Sequence, residues 1–218
     1  MSLETIESKL NALSGKLALL ESNKAVFNAK FPGGIDTIAY PTEDSLGPSK
    51  GGGYLAWNFN PLGTAAGTVV PTDGTIYVME LYTTSPISVS NIHMYVSAVG
   101  VGLAAGQNFV GLYDKNKNLL GATADQSAVW ASGYLKTMAI TGGPITVSAG
   151  TFYVAFFTNG TTRPSFLRAA ATNVNTANGR LTGDSSNFAT ADIGRTTSLP
   201  AILGAFTAVH LTYWAAVS

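Results

Sequence analysis

Leu3, Ile6, Leu10, Leu13, Leu17 and Leu20 recur at alternating spacings of three and four, an uninterrupted heptad seam over the first twenty residues. With Leu3, Leu10 and Leu17 at a and Ile6, Leu13 and Leu20 at d, Lys9 and Lys16 fall at g and Glu7 and Glu21 at e, so Lys16 can pair with Glu21 of a neighbouring helix. Such a stripe is buried either against copies of itself or against the chain's own domain. Leu at a disfavours the parallel dimer, and the pattern predicts a trimeric coiled-coil helix over residues 1–30. The seam spans only about 27 Å at ~1.5 Å per residue, and Gly15 weakens it by roughly 1 kcal/mol relative to Ala. A bundle that short needs further contacts elsewhere in the chain.

The pattern then changes. Lys24 interrupts the seam, Pro32-Gly33-Gly34 ends any helix, and Pro41, Pro48 and Gly51-Gly52-Gly53 keep residues 31–53 a neck or linker. From Tyr54 onward, short runs rich in Val, Ile, Tyr, Phe and Thr alternate with Gly, Asn, Asp, Ser and Pro clusters, which predicts an all-β head over residues 54–218. Thr75–Tyr82 and Thr151–Thr158 are apolar at successive positions, as central strands covered on both faces require. Ile92, Met94 and Val96 alternate with His93 and Tyr95. Phe109–Asp114 and Asn118–Thr123 read as a hairpin around Asp114-Lys115-Asn116-Lys117-Asn118. Ile145 and Val147 mark a further strand, and Ala208–Val217 is expected to be the last. Eight or so such strands with turns every ten to fifteen residues suit a jelly-roll β-sandwich. Residues 168–197, rich in Asn, Thr and Ser, read as long surface loops against neighbouring subunits or as a binding surface.

Composition sharpens this picture. Of 218 residues only 11% are charged, against about 25% in a typical soluble domain, while 46% are hydrophobic and the net charge is zero. Burial of apolar surface between subunits is the simplest account of so few charges. With no basic cluster, nucleic acid is not expected as a partner. No run approaches the ~18 apolar residues of a bilayer span, so membrane insertion is not expected either. The absence of cysteine removes disulfides, thiolate metal sites and thiol catalysis.

The runs Asn91-Ile92-His93-Met94-Tyr95-Val96, Gly106 through Asp114 (GQNFVGLYD), Leu119-Leu120-Gly121-Ala122-Thr123 and Ala149 through Phe157 (AGTFYVAFF) resemble a β-sandwich domain of minor tail proteins and fibres of tailed bacteriophages, especially those of actinobacteria. The resemblance covers roughly residues 75–160 and, more loosely, the remainder. It implies a trimeric rod with a C-terminal jelly-roll head, located on the virion after assembly in the host cytoplasm, joined to other virion proteins through its N-terminus and adhering to the host surface. Its motifs describe the scaffold and carry no ligand residue.

Candidate chemistry is sparse. No G-x-S-x-G motif, phosphate-binding glycine loop or Asp-rich calcium loop is present, so neither catalysis nor a metal or other cofactor is expected. His93 and His210 could line a threefold axis or serve as ordinary interface imidazoles. Glu80 lies inside the most apolar strand, either as a buried acid or in an interface hydrogen bond or ion pair. Asn159-Gly160-Thr161 matches a glycosylation sequon but reads as a turn. A carbohydrate site needs an exposed aromatic face ringed by amides, hydroxyls and a charged donor. Asp125, Gln126, Trp130 and Tyr134 in one loop, with Asn159, Thr162 and Arg163 in another, supply that inventory. Trp130 and Tyr134 could equally cap the core or lie between subunits. The expected function is host attachment by multivalent glycan binding, with a capsid fibre or decoration role as the alternative.

Overall fold

A computed structural model describes Lys9, Leu13, Ser14, Lys16 and residues 53–59, 64–65, 69–170 and 173–218. The chain divides into two units, Met1–Thr42 and Glu43–Ser218. In the first, the four described residues are helical and Leu13 is 68% exposed within the single chain. The other seam residues, Leu3, Ile6, Leu10, Leu17 and Leu20, lie outside the described residues, as does nearly all of the predicted neck.

The second unit is mostly β, built from antiparallel sheets. Its strands are β1 (Ala56–Trp57), β2 (Thr64–Ala65), β3 (Ile76–Thr83), β4 (Ile87–Val89), β5 (Asn91–Ala98), β6 (Val101–Leu103), β7 (Phe109–Tyr113), β8 (Leu119–Ala122), β9 (Tyr134–Ala139), β10 (Ile145–Val147), β11 (Gly150–Phe157), β12 (Gly160–Thr162), β13 (Ser165–Phe166), β14 (Arg168–Ala169), β15 (Phe188–Ala191), β16 (Thr207–Ala208) and β17 (Ala216–Val217). Six form a sheet in the order β16-β15-β3-β11-β7-β8. A second sheet runs β1-β17-β5-β13, with β9 added on β5. Three short ribbons, β4–β10, β6–β12 and β2–β14, complete the pairing.

Alternation along the strands explains how the two large sheets share a core. Ile92, Met94 and Val96 of β5 meet Tyr77, Met79 and Leu81 of β3, Val110 and Leu112 of β7, and Phe152, Val154 and Phe156 of β11 in one buried cluster, as in a β-sandwich. Phe156 sits at its centre, with ring centroids 4.9 Å from Phe166, 5.2 Å from Tyr213 and 5.5 Å from Tyr77. The opposite residues of β3 and β11 are apolar because the six-stranded sheet is covered a second time. Leu199, Leu203 and Phe206 pack on Ile76, Val78, Tyr113, Tyr153, Ala155 and Phe157, and the Tyr113 hydroxyl donates to the Pro200 carbonyl at 2.9 Å. Gly111 permits the close approach, since a Cβ there would stand 2.7 Å from Leu199 Cδ1.

Two expectations are corrected. The chain does not run as one strand over Ala208–Val217. β16 ends at Ala208 on the six-stranded sheet, Thr212 N–H bonds the His210 carbonyl, and only Ala216–Val217 joins the five-stranded sheet. The chain crosses between layers at this point, so no single ladder can hold it; His210 is exposed in the crossing. Residues 168–197 are not all surface loop either. β15 pairs with β3 inside the six-stranded sheet, burying Phe188, Ala189 and Ala191. A fully buried Asn178 at the end of a short helix, Val174–Asn178, holds it there. Asn178 accepts from Phe188 N–H at 2.8 Å and donates to the Val209 carbonyl at 2.9 Å.

Candidate functional site

The residues predicted to contact a ligand are placed by two features, a polar hub at one end of the sandwich and the aromatic core beneath it. Asn108, fully buried where the chain enters β7, is the hub. Its Nδ2 donates to the Ala104 carbonyl at 2.7 Å, and its Oδ1 accepts from Thr158 Oγ1 at 2.7 Å and Asn159 N–H at 3.1 Å. Its own N–H donates to Asp125 Oδ1 at 3.0 Å, and its carbonyl accepts from Gln126 N–H at 2.7 Å. One residue thus ties the loop before β7 and the end of β11 through its side-chain amide and the loop after β8 through its backbone, with both side-chain polar atoms satisfied.

The two predicted loops therefore do meet, through Asn108. Three of the seven candidates are nevertheless withdrawn as exposed contacts. Trp130 is 0% exposed, with its ring 5.1 Å from Phe166 and its Nε1–H directed at Met138 Sδ at 3.3 Å. It closes the end of the core, and neither face is available to a sugar. Gln126 is buried, its Nε2 donating to the Ala124 carbonyl at 2.7 Å. Asn159 is buried and bridges the Arg195 carbonyl at 2.7 Å and Gln107 Oε1 at 3.2 Å. In each case an amide or indole N–H buried with the loop has taken an internal partner, as burial demands.

The other four remain accessible. Asp125 is half-buried, with one oxygen on Asn108 N–H and the other on Ser127 Oγ. Arg163 donates from Nε to the Pro71 carbonyl at 2.7 Å and from Nη1 to Asp73 Oδ2 at 2.9 Å. The latter pair is open to solvent, with side chains 27% and 52% exposed. Two of five guanidinium donors are engaged in these bonds. Asp73 also accepts from Gly160 N–H at 3.3 Å, next to exposed Thr161 and Thr162 on β12. The sequence reads Asp73 as one of several turn carboxylates and does not single out Asn108 for a site; for Asp73 the signal is the turn Pro71-Thr72-Asp73-Gly74, whose glycine has φ +62° and whose Cβ would fall 2.5 Å from Arg195 N.

Tyr134 stands elsewhere. It opens β9 with φ +77°, is 76% exposed, and its ring meets that of Tyr95 edge-on at 6.5 Å. Thr162 is connected to that region because it pairs with Val101 of β6, which is 58% exposed.

His93 and Glu80 are resolved as well. His93 is buried on the outer face of the five-stranded sheet, with Nε2 2.8 Å from Ser218 Oγ, Nδ1 3.1 Å from Thr137 Oγ1 and its ring 4.9 Å from that of Tyr54. Burial pushes its pKa down to about 4. Glu80 is half-buried beside Tyr153 of the neighbouring strand, and desolvation raises its carboxyl above the usual range against the opposing effect of a Thr151 hydrogen bond. Among the described residues, no group of three or more His, Asp or Glu side chains could hold a metal ion, and no helix is long and apolar enough to cross a membrane.

No protein-family model and no curated protein matches the chain.

Proposed function

We propose that this chain is a homotrimeric virion fibre protein whose β head attaches to the host surface by weak, multivalent binding of carbohydrate, and that it performs no catalysis. The residues 1–30 coiled coil trimerises the chain and joins it to other virion proteins, and residues 54–218 form the jelly-roll head. One observation carries the attachment role: the Asn108 hub holds three loops rigidly against the core while the Asp73–Arg163 pair, Thr161, Thr162 and Asp125 stay open to solvent at its rim. Recognition surfaces are characteristically loops fixed on a rigid scaffold. A carboxylate, a guanidinium with spare donors and two hydroxyls suit the hydroxyls of a glycan. Three such sites on one trimer act at high effective concentration, so each can bind in the millimolar range and still hold a particle on a cell.

The resemblance to phage tail domains supports the virion setting, and its scaffold motifs fall on β5, β7, β8 and β11. The test is binding of the purified full chain to host envelope fractions, alongside the variant Arg163→Ala. Saturable binding that falls at least tenfold in the variant supports attachment through this rim. Failure to bind any envelope fraction, with antibody labelling confined to capsids, supports the decoration role instead.

A further inference from the structure

The five-stranded sheet ends on a strand with little protection against pairing. β9 pairs with β5 along its whole length, from Asn91↔Ala139 to Val96↔Tyr134, and among the described residues no strand lies on its other side. Natural edge strands are guarded by proline, by outward-pointing lysine, by bulges or by a covering loop. β9 contains no proline, and its one charge, Lys136, is half-buried and turned back onto Ser132 Oγ at 2.7 Å.

Exposed apolar side chains gather around this edge. Tyr134 is 76% exposed, Val101 58%, Leu135 45%, Val99 43% and Val129 36%. Backbone contacts bring their segments together: a Cβ on Gly133, next to Tyr134, would stand 3.9 Å from Val99 Cγ1, Gly100 N–H bonds the Trp130 carbonyl at 3.0 Å, which holds the turn before β6 against the loop carrying Val129, and Leu135 follows Tyr134 on β9. Together they expose on the order of 400 Å² of apolar side chain, within the ~300–600 Å² of the largest patch on a typical soluble monomer, which is often functional. That is about half of the ~800 Å² each partner contributes to a stable interface.

We infer that the edge of β9 with Val99, Val101, Val129, Tyr134 and Leu135 is the surface by which one head packs on another copy of this chain. This rests on the proposed self-assembly and names where in the head it occurs. A second copy fits better than a charged partner, because these five side chains carry no charge and only 11% of the chain's residues do, so the adjoining face of a neighbouring head meets them with little repulsion; in a trimer that contact is heterologous, patch against a different face. The area is too large for the contact of a single sugar ring and too bare of hydrogen-bonding side chains to satisfy its hydroxyls. Tyr134 is accordingly a subunit contact. Because Val101 pairs with Thr162, this packing also sets the carbohydrate rim beside the boundary between heads.

The experiment is light scattering of the full chain across a concentration series. Four proteins are compared: wild type, Val101→Glu/Leu135→Glu, Leu10→Glu/Leu17→Glu, and the combination. Wild type is expected to be an oligomer, the head variant to dissociate at concentrations at least tenfold higher, and the combination to be monomeric. A monomeric wild type removes the proposed assembly itself. An oligomeric wild type whose head variant and combination assemble unchanged overturns the surface alone. A second readout guards against misfolding. The chain has no cysteine, so Tyr134→Cys and the turn control Asn116→Cys each introduce one thiol. At least tenfold slower alkylation at position 134 than at 116 in the oligomer supports the interface, and equal rates overturn it.

Discussion

Acidification should destabilise the head through His93, by an amount set by its surroundings. The imidazole is 6% exposed, flanked by the Thr137 and Ser218 hydroxyls and capped by Tyr54. Rotation of the two hydroxyls can accommodate either protonation state, so desolvation of the cation is what lowers the pKa from 6.5 to about 4. A base whose folded pKa is depressed binds fewer protons folded than unfolded. Its contribution is therefore complete above pH 6.5, is lost as pH falls through 6.5, and stops changing below about 4. Linkage over that interval gives a loss of about 2.5 kcal/mol between pH 7.5 and pH 4.5. Carboxylates titrate over the same range, so the His93 contribution is isolated by comparison with His93→Gln. Urea unfolding of both proteins at the two pH values and one protein concentration is the assay. Wild type should lose about 2.5 kcal/mol more than the variant. A difference below about 0.5 kcal/mol, or of opposite sign, would refute a desolvated neutral histidine at this site.

Three further outcomes follow from the packing around the loops. Trp130→Ala empties the end of the core and should cost about 3–5 kcal/mol in urea unfolding, whereas Tyr134→Ala, from the same loop, should leave the stability of a single head within about 0.5 kcal/mol. Asn108→Ala strands the Asn159 N–H and the Thr158 hydroxyl and should cost about 2–3 kcal/mol, with faster amide exchange at residues 104–108 and 158–160. Gly74→Ala meets the backbone of Arg195 in a left-handed conformation and should cost about 2 kcal/mol or more, measured by thermal unfolding.

Much of the head was legible because strand periodicity reports burial directly. β3, β5, β7, β8, β10 and β11 lie within a residue or two of their predicted positions, and the two strands apolar on both faces are adjacent at the centre of the six-stranded sheet. The failures share one cause, tertiary pairing without a local signature. The cover of the sheet's far face, Leu199 through Phe206, has no periodicity of its own, and the crossing between β16 and β17 preserves an alternation of which the pairing uses only a single bridge, Arg168↔Tyr213. β15, the strand Phe-Ala-Thr-Ala, is too small and polar in composition to announce itself, and depends on β3 and on Asn178 for its place.

The candidate site shows the same limit more sharply. Trp130 and Tyr134 are four residues apart in one loop and have similar chemistry, yet one is completely buried and the other mostly exposed. What separates them is remote in sequence. Phe156 and Phe166 form the walls around Trp130, Met138 receives its N–H, and Gly100 bonds its carbonyl. Tyr134, held at φ +77° at the start of the edge strand β9, has Tyr95 of β5 as its ring neighbour. A non-glycine residue in that conformation carries strain of about 1–2 kcal/mol, which a freely exposed tyrosine does nothing to offset. Burial of the ring between heads would offset it, since covering most of a tyrosine side chain contributes about 2 kcal/mol. The proposed subunit contact makes Tyr134→Gly an informative substitution. Glycine relieves the strain of about 1–2 kcal/mol against about 0.5–1 kcal/mol of added unfolded-chain entropy. Substitution should therefore leave the isolated head at least as stable while weakening assembly, and an assembled state strengthened by it would place Tyr134 outside the interface.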